Sequence, residues 1–526
     1  MTATASLPRM ITFLGLVVGE CENDISQNLP NHRLISPTLF LPLRPSFLIE
    51  HLFKISMAEN QYDVTVIGSG PGGYVAAVRL AQLGFKTAII ERYKTLGGTC
   101  LNVGCIPSKA LLDSSHHYHD AQHKFAEHGI GVSNLKMDMA QMVKRKNEVV
   151  KATTDGVAFL MNKNKVDVFY GHGSYKDKNT VLVKGDDGKV TEIKTGKSII
   201  ATGSKPSSIP GVTIDKKRII TSTEALDIDK LPKTMIIIGA GVIGLEIGSV
   251  MARLGTQVEV IEYTGSAIGG MDGTMGKEIV KVLKKELGFK FHFKHKVTGA
   301  KATAKSATVT ATNAKGEEVE FKGDYCLVST GRRPYTDNLG LENAGVKLDD
   351  RGRVEVDAHL QTNVEGIYAI GDVIKGAMLA HKASEEGVFV AEVMAGQHPH
   401  INYRAIPGVV YTWPEVASVG FTEEELKADK KAYKTGTFYF RASGRARASM
   451  DTDGLVKILS DKETDEILGM HIIGPRAADM IMEGVMGLEF RASAEDLAIF
   501  SHPHPTFSES IKEAAMDATA GRAIHK

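Results

Sequence analysis

Apolar and polar positions switch between strand-like and helix-like spacing along most of the chain, and the switches fall at glycines. Asp63-Val-Thr-Val-Ile is a short β-rich run that breaks into Gly68-Ser-Gly70-Pro-Gly-Gly73, passes into a helical pattern of small residues through Leu83, and resumes as an extended run over 86–91 that ends in Glu91. Strand, turn, helix and strand in this order predict a βαβ unit. The order returns later as an apolar run at 235–238, Gly239-Ala-Gly241-Val-Ile-Gly244, a helix through Leu254 and a run over 257–262 that ends in Glu262. From first glycine to terminal glutamate is 23 residues in both copies. In such a unit the first glycine makes the tight turn, the second lets the backbone approach a pyrophosphate, and the third lets helix and strand pack closely. The phosphate rests on the helix N-terminus, and the terminal acid binds ribose hydroxyls. One fingerprint alone is weak, because packing glycines occur in many α/β turns; two copies of equal length predict two dinucleotide sites. A carboxylate at Glu262 repels a 2′-phosphate, so the second site favours NAD over NADP.

Two further apolar runs end in Thr-Gly: Ser198-Ile-Ile-Ala201-Thr202-Gly203-Ser204, and Leu327-Val-Ser-Thr-Gly331 followed by Arg332-Arg-Pro334. They mark the expected crossings between the nucleotide units. A third strand, Ile367-Tyr-Ala-Ile-Gly-Asp372, ends in an acid suited to hydrogen-bond a polyol at the carboxyl end of a sheet. From about Asn402 onward, strands at 409–412 and 455–459 alternate with amphipathic helices and no nucleotide motif recurs, which reads as an interface domain.

The first 56 residues differ from the rest of the chain. Short apolar runs at 11–18 and 39–43 mix with scattered prolines and no helical period, and Glu20, Glu22 and Asp24 suit neither a secretory signal nor an acid-poor mitochondrial transit peptide. The expected native start is Met57, with 1–56 an upstream extension, and the expected compartment is the cytoplasm, or the mitochondrial matrix if the extension is a genuine transit peptide. No run reaches the roughly 18 apolar residues of a membrane span.

Composition narrows the classes. With 526 residues, two to four domains are expected, and 63 basic against 62 acidic side chains leave no field to hold nucleic acid or an anionic membrane. Four cysteines in so long a chain are no secreted disulfide framework, so the close pair Cys100 and Cys105 reads as catalytic or metal-binding. In Gly97-Gly98-Thr99-Cys100-Leu-Asn-Val-Gly104-Cys105-Ile-Pro107-Ser-Lys109 a regular helix would hold the two Cα atoms about 7.5 Å apart, beyond the ~7 Å limit for a disulfide. A closable pair therefore needs an irregular segment, which Gly104 and Pro107 supply. A zinc half-site, two incidental thiols and a redox pair remain open; the metal reading lacks a second ligand pair, since Cys326 stands alone in an apolar strand. The histidines at 116, 117 and 119 read as a solvated helix face.

These motifs, with Met378-Leu379-Ala380-His381 and His502-Pro-His504-Pro-Thr-Phe-Ser-Glu509, run in unbroken order from about Met57 to the C-terminus. Together they resemble the flavin-dependent pyridine nucleotide–disulfide oxidoreductases, most closely their dihydrolipoamide-oxidising members. The resemblance implies an α/β fold with two Rossmann-like dinucleotide-binding domains and a C-terminal α+β dimerisation domain: 57–205 for FAD, 206–337 for NAD, 338–403 completing the FAD site, and 404–526 for the interface. It implies tightly bound, non-covalent FAD on Gly68, Gly70, Gly73, Glu91, Gly98, Thr99, Lys109, Gly173, Thr202, Gly203, Ser204, Asp372, Met378, Leu379, Ala380 and His381. NAD would lie on Gly239, Gly241, Gly244, Glu246, Glu262, Val297 and Gly331. Cys100 would be the interchange thiol and Cys105 the flavin-side thiol, Lys109 would pair with Glu246 beside the flavin, and His504, oriented by Glu509, would be the base. A homodimer is implied, acting on lipoyl domains held by the acyltransferase core of 2-oxo acid dehydrogenase complexes or on a glycine-cleavage H protein. Glutathione and mercuric reductases are the rivals within the family, and a non-catalytic assembly subunit is the rival outside it.

Overall fold

The two glycine fingerprints each open a parallel sheet in the computed structural model, which describes residues 60–526. The expectations for 1–56 and for a start at Met57 fall outside the described residues. Strand Gln61–Ile67 lies between Thr87–Glu91 and Val190–Ile200; Asp167–Tyr170 pairs beyond the former and Ile367–Ala369 beyond the last turn of the latter, all parallel. Val64, Val66, Ile89, Ile199 and Ile200 are wholly buried, as expected of parallel strands covered on both faces. The first half of Val190–Ile200 carries an antiparallel ribbon, Thr180–Lys184 and His172–Asp177.

The second sheet repeats the plan. Thr234–Ile238 lies between Gln257–Glu262 and Tyr325–Val328, with Lys290–Phe293 and Ile219–Ile220 outermost, again all parallel. Its own antiparallel ribbon consists of Lys296–Ala302, Ala307–Thr312 and Glu318–Gly323. The two Thr-Gly segments meet: Ser204–Pro206 pairs antiparallel with Arg332–Pro334, where the chain leaves the first unit and returns to it. Residues after that return join the first unit, since helix Ala380–Met394 packs along the first fingerprint helix, Pro71–Gln82.

The C-terminal sheet is antiparallel, in the order Gly408–Val410, Glu415–Gly420, Ile467–Gly474, Leu455–Asp461, Tyr433–Tyr439, with helices Ala477–Glu489 and Glu509–Ala520 packed on it. The run expected as a strand over 409–412 stops at Val410. The reason lies in another part of the chain: the Tyr411 N–H leaves the ladder and donates to the Glu246 carboxylate at 3.0 Å. Among the described residues no helix is long and apolar enough to cross a membrane.

The histidine cluster is not a solvated face. The His116 ring packs at 4.6 Å on Trp413, with Arg253 beside it, and only His117 of the three is exposed. Burial and the Arg253 guanidinium push His116 down to about 4, and burial with His123 nearby does the same to His119. The misreading has a physical source, because helical spacing cannot show that Arg253 and Trp413 come from elsewhere to cover that face.

A buried ion cluster joins the second nucleotide unit to the C-terminal sheet. Lys457 Nζ lies 2.9 and 3.0 Å from the two Asp272 oxygens and 2.7 Å from Glu423, with the Lys457 and Asp272 side chains only 4% and 0% exposed. Burial opposes the charge of Asp272, yet His471 and Lys457 hold its carboxyl at about 2. Removing the lysine strands a buried carboxylate, so Lys457→Met should cost about 3–5 kcal/mol, read as a lowered unfolding midpoint. Because the unfolded chain's Asp272 binds its proton at higher pH than the folded one's, the difference from wild type should narrow as pH falls from about 4 towards 2.

Candidate active site

Helix Gly98–Val103 carries Cys100, and the next helix, Cys105–His123, begins with the second cysteine. The break is Gly104, at φ −138° and ψ −115°, where an added Cβ would lie 2.8 Å from the Thr99 carbonyl oxygen. Gly104 therefore supplies the expected irregularity, but Pro107 does not. It sits in the first turn of the second helix, where its missing N–H has no helical partner to lose.

Across the break the two free thiols touch, and they are electrostatically unequal. Cys105 is lowered to about 7: the Cys100 thiol donates to it and the Lys109 ammonium favours its charge, against burial and Glu246. Its place at a helix N-terminus acts in the same direction. Cys100 is pushed up by that same hydrogen bond and by burial. Of the two, Cys105 is thus the thiol that ionises more readily. The third described cysteine, Cys326, is buried alone in its strand, and burial pushes its thiol up to about 12.

One turn after Cys105, Lys109 reaches Glu246 on the second fingerprint helix, with Nζ at 2.9 and 3.2 Å from the two carboxylate oxygens. Glu246 is only 5% exposed and also accepts from the Ser108 hydroxyl at 3.0 Å and the Tyr411 N–H at 3.0 Å. The Tyr411 ring centroid lies 4.2 Å from Lys109 Nζ. Neither Ser108 nor Tyr411 stood out in the sequence. Ser108 adjoins a singled-out lysine, whereas nothing local marks Tyr411.

These groups line one cavity of about 680 Å³. Every residue expected at the first nucleotide lies on its wall except Gly73, so the structure brings together Gly68, Gly70, Glu91, Gly98, Thr99, Lys109, Gly173, Thr202, Gly203, Ser204, Asp372, Met378, Leu379, Ala380 and His381 with both cysteines. Gly73 packs behind: its added Cβ would stand 1.9 Å from the Gly68 carbonyl oxygen. At Gly70 an added Cβ meets nothing within 4 Å, which leaves the space a pyrophosphate needs. The buried Glu91 accepts the Ser69 N–H at 3.1 Å and the Tyr93 N–H at 2.9 Å. The Ser204 hydroxyl donates to Asp372 and accepts from Arg332 at 2.7 Å, a pair of contacts not foreseen from sequence.

The second set stands apart from this cavity. Gly241 is open like Gly70, Gly244 packs 2.6 Å from the Gly239 carbonyl oxygen, and Glu262 accepts the Ala240 and Thr264 N–H groups at 2.8 and 2.7 Å. Val297 lies on the antiparallel ribbon and Gly331 follows the strand Tyr325–Val328, while Glu246 lines the first cavity. His504 and Glu509 do not line it. His504 Nδ1 donates to Glu509 at 2.8 Å, and its side chain is 79% exposed. A carboxylate can only accept, so in the neutral imidazole Nε2 is the nitrogen that bears the lone pair. Burial opposes the charge of Glu509, but the Thr506 N–H and His504 hold its carboxyl below the usual range. On the same unit Met482, Met486, Phe490, Ile499 and Phe500 are each at least half exposed, an apolar surface of the kind that marks an interface.

Residues 62–387 match the model of the pyridine nucleotide-disulphide oxidoreductases, and 406–515 match the dimerisation domain of the same group. The chain is 49% identical over 502 residues to dihydrolipoyl dehydrogenase 1, mitochondrial, of Arabidopsis thaliana, covering 95% of this chain and 97% of that one. It is 50% identical over 467 residues to the mitochondrial dihydrolipoyl dehydrogenase of Homo sapiens, covering 88% and 92%. Among solved structures it resembles LpdA of Mycobacterium tuberculosis, with a TM-score of 0.80 at 26% identity over 88% of this chain and 100% of that one. It also resembles the HOCl-induced flavoprotein disulfide reductase RclA of Escherichia coli, with a TM-score of 0.76 at 27% identity over 86% and 99%. The chain belongs to the pyridine nucleotide-disulphide oxidoreductase family and, within it, to the dihydrolipoyl dehydrogenases.

Proposed function

We propose that the chain oxidises protein-bound dihydrolipoamide to lipoamide through the Cys100–Cys105 pair, as a homodimer that binds FAD in the large cavity and reduces NAD⁺ at the second fingerprint. The observation that carries this reading is the pair of free thiols either side of Gly104, lining one cavity with the Lys109–Glu246 pair and an open fingerprint glycine. The corresponding partition assigns 57–205 with 338–403 to FAD, 206–337 to NAD and 404–526 to the interface.

Exposed and off the cavity wall of its own chain, His504 would act across the dimer, removing a proton from one substrate thiol, because a thiol near pKa 8.5 is mostly protonated at neutral pH. The substrate sulfur bonds to Cys100 Sγ, the Cys100–Cys105 bond breaks, and Cys105 leaves as a thiolate. Its low pKa makes it the better leaving group, and Lys109 one turn away holds the charge. The second substrate thiol, deprotonated in turn, attacks its own partner sulfur in the mixed disulfide. Lipoamide departs and Cys100 leaves as a thiolate that takes up a proton. When bound, FAD would accept the electron pair of the thiol–thiolate pair and NAD⁺ would carry it away from the flavin as hydride, with the remaining proton released and the disulfide restored. Glu91 and Asp372 would hold hydroxyls of the flavin nucleotide, and Glu262 those of NAD while repelling a 2′-phosphate. Glu509 fixes the His504 tautomer, and the exposed apolar face around Met486 and Phe490 is what a second copy would cover.

The immediate partners on this reading are lipoyl domains, presented by an acyltransferase core or a glycine-cleavage H protein. Relatives named as mitochondrial support the matrix as the compartment if the N-terminal extension is a genuine transit peptide.

Anaerobic dihydrolipoamide titration should produce a long-wavelength thiolate-to-flavin absorbance; its survival in Cys105→Ser would overturn the assignment of Cys105. His504→Gln should lower kcat with dihydrolipoamide roughly 10²–10⁴-fold yet leave flavin reduction by NADH near wild type, and equal loss in both assays would remove His504 as the base. Gly70→Ala should fold, since its Cβ meets no protein atom, but purify with little flavin; normal flavin content would place the pyrophosphate elsewhere.

A further inference from the structure

The buried carboxylate of Glu246 receives more than its lysine. Three groups from two other parts of the chain converge on it: Lys109 and Ser108 from the helix that opens with Cys105, and the Tyr411 N–H from the C-terminal unit. The Tyr411 contact is built twice over. Its amide leaves the strand Gly408–Val410 to reach Glu246, and its ring covers the Lys109 ammonium at 4.2 Å from the centroid. The ring belongs to the cavity wall together with both cysteines. Lys109 and Cys105 are four residues apart on one helix and so share a face.

We propose that Tyr411 is a positioning residue of the redox centre, by which the C-terminal unit holds the Lys109–Glu246 pair in register with Cys105. A lysine stem has several rotamers, and the Lys109 side chain is 31% exposed, so the ion pair alone leaves it room to swing towards solvent. The amide fixes the carboxylate end. The π face fixes the ammonium end, since a cation over a ring is attracted electrostatically. With both ends held, the positive charge stays one helical turn from the sulfur that must carry negative charge.

The groups that face Cys105 are Cys100 from the preceding helix, Lys109 from its own helix, Glu246 from the second fingerprint helix, Arg332 from the crossing strand and Tyr411 itself. Of these, Lys109 is the cation one turn away, and it is the one Tyr411 touches. Removing the ring frees Lys109, weakens its support of the thiolate and raises the thiol's pKa. The proposal rests on Cys105 being the flavin-side thiolate.

The test is a pH titration of the long-wavelength absorbance in the anaerobically two-electron-reduced holoenzyme, which reads the thiolate without turnover. Tyr411→Leu should raise the midpoint by roughly half to one pH unit, a three- to tenfold fall in the thiol's ionisation constant. Tyr411→Met fills a similar space without a π face, carries the same expectation and serves if the leucine variant does not fold. Tyr411→Phe keeps ring and amide and should titrate like wild type. Wild-type midpoints in both the leucine and methionine variants would overturn the proposal by reducing Tyr411 to packing. A shift in Tyr411→Phe as large as in Tyr411→Leu would overturn it too, because the hydroxyl and not the ring would then be responsible. A wild-type enzyme without the absorbance would remove the reading of Cys105 and this inference with it, whereas normal wild-type titration with unmoved variants removes this inference alone.

Discussion

A buried negative charge is tolerated only when enough donors surround it, and the carboxylate of Glu246 is the point at which this constraint shapes the molecule. Lys109, Ser108 and the Tyr411 amide each donate to it. Its own helix starts at the second glycine fingerprint, its lysine sits one turn from a redox cysteine, and its amide donor comes from the C-terminal sheet. Truncating any donor leaves charge uncompensated in a site with little water, where such a loss is costly. One side chain thus makes polar contact with three parts of the chain at once: its own fingerprint helix, the helix of Cys105 and the C-terminal unit. The Lys457–Asp272–Glu423 cluster repeats the arrangement at a second junction, away from the chemistry.

The parts of the molecule legible in the sequence are those whose cause is local. A first glycine in a tight turn, a third glycine pressed against a carbonyl and a glutamate at the end of the next strand all lie within one βαβ unit, so Gly68, Gly73 and Glu91 could be assigned by spacing. The same holds for Gly239, Gly244 and Glu262. The cysteine pair was legible because a helix rise and a disulfide span do not agree, and the chain resolves the conflict at Gly104. Pro107 was misassigned because proline breaks a helix only beyond its first turn, and the first turn is where it lies.

What sequence spacing missed depends on segments far apart in the chain. Tyr411 and Arg332 show no pattern of their own; each matters because another unit brings Glu246 or Ser204 to it. The face bearing His116 looked solvated because Trp413 and Arg253 arrive from elsewhere to cover it. His504 is the converse. Its pairing with Glu509 is local and readable, but it stands 79% exposed and off the wall of this chain's own cavity, which spacing could not show.

The paired segments Ser204–Pro206 and Arg332–Pro334 bear on how the two nucleotide units can move. Units joined by one linker can swivel about it as well as bend. Here both crossings run side by side and are hydrogen-bonded to each other, so a swivel would shear the ribbon while a bend would not. The paired crossing therefore resists swivel more than bend. Resistance to swivel is also what preserves the azimuth at which Glu246 meets Lys109.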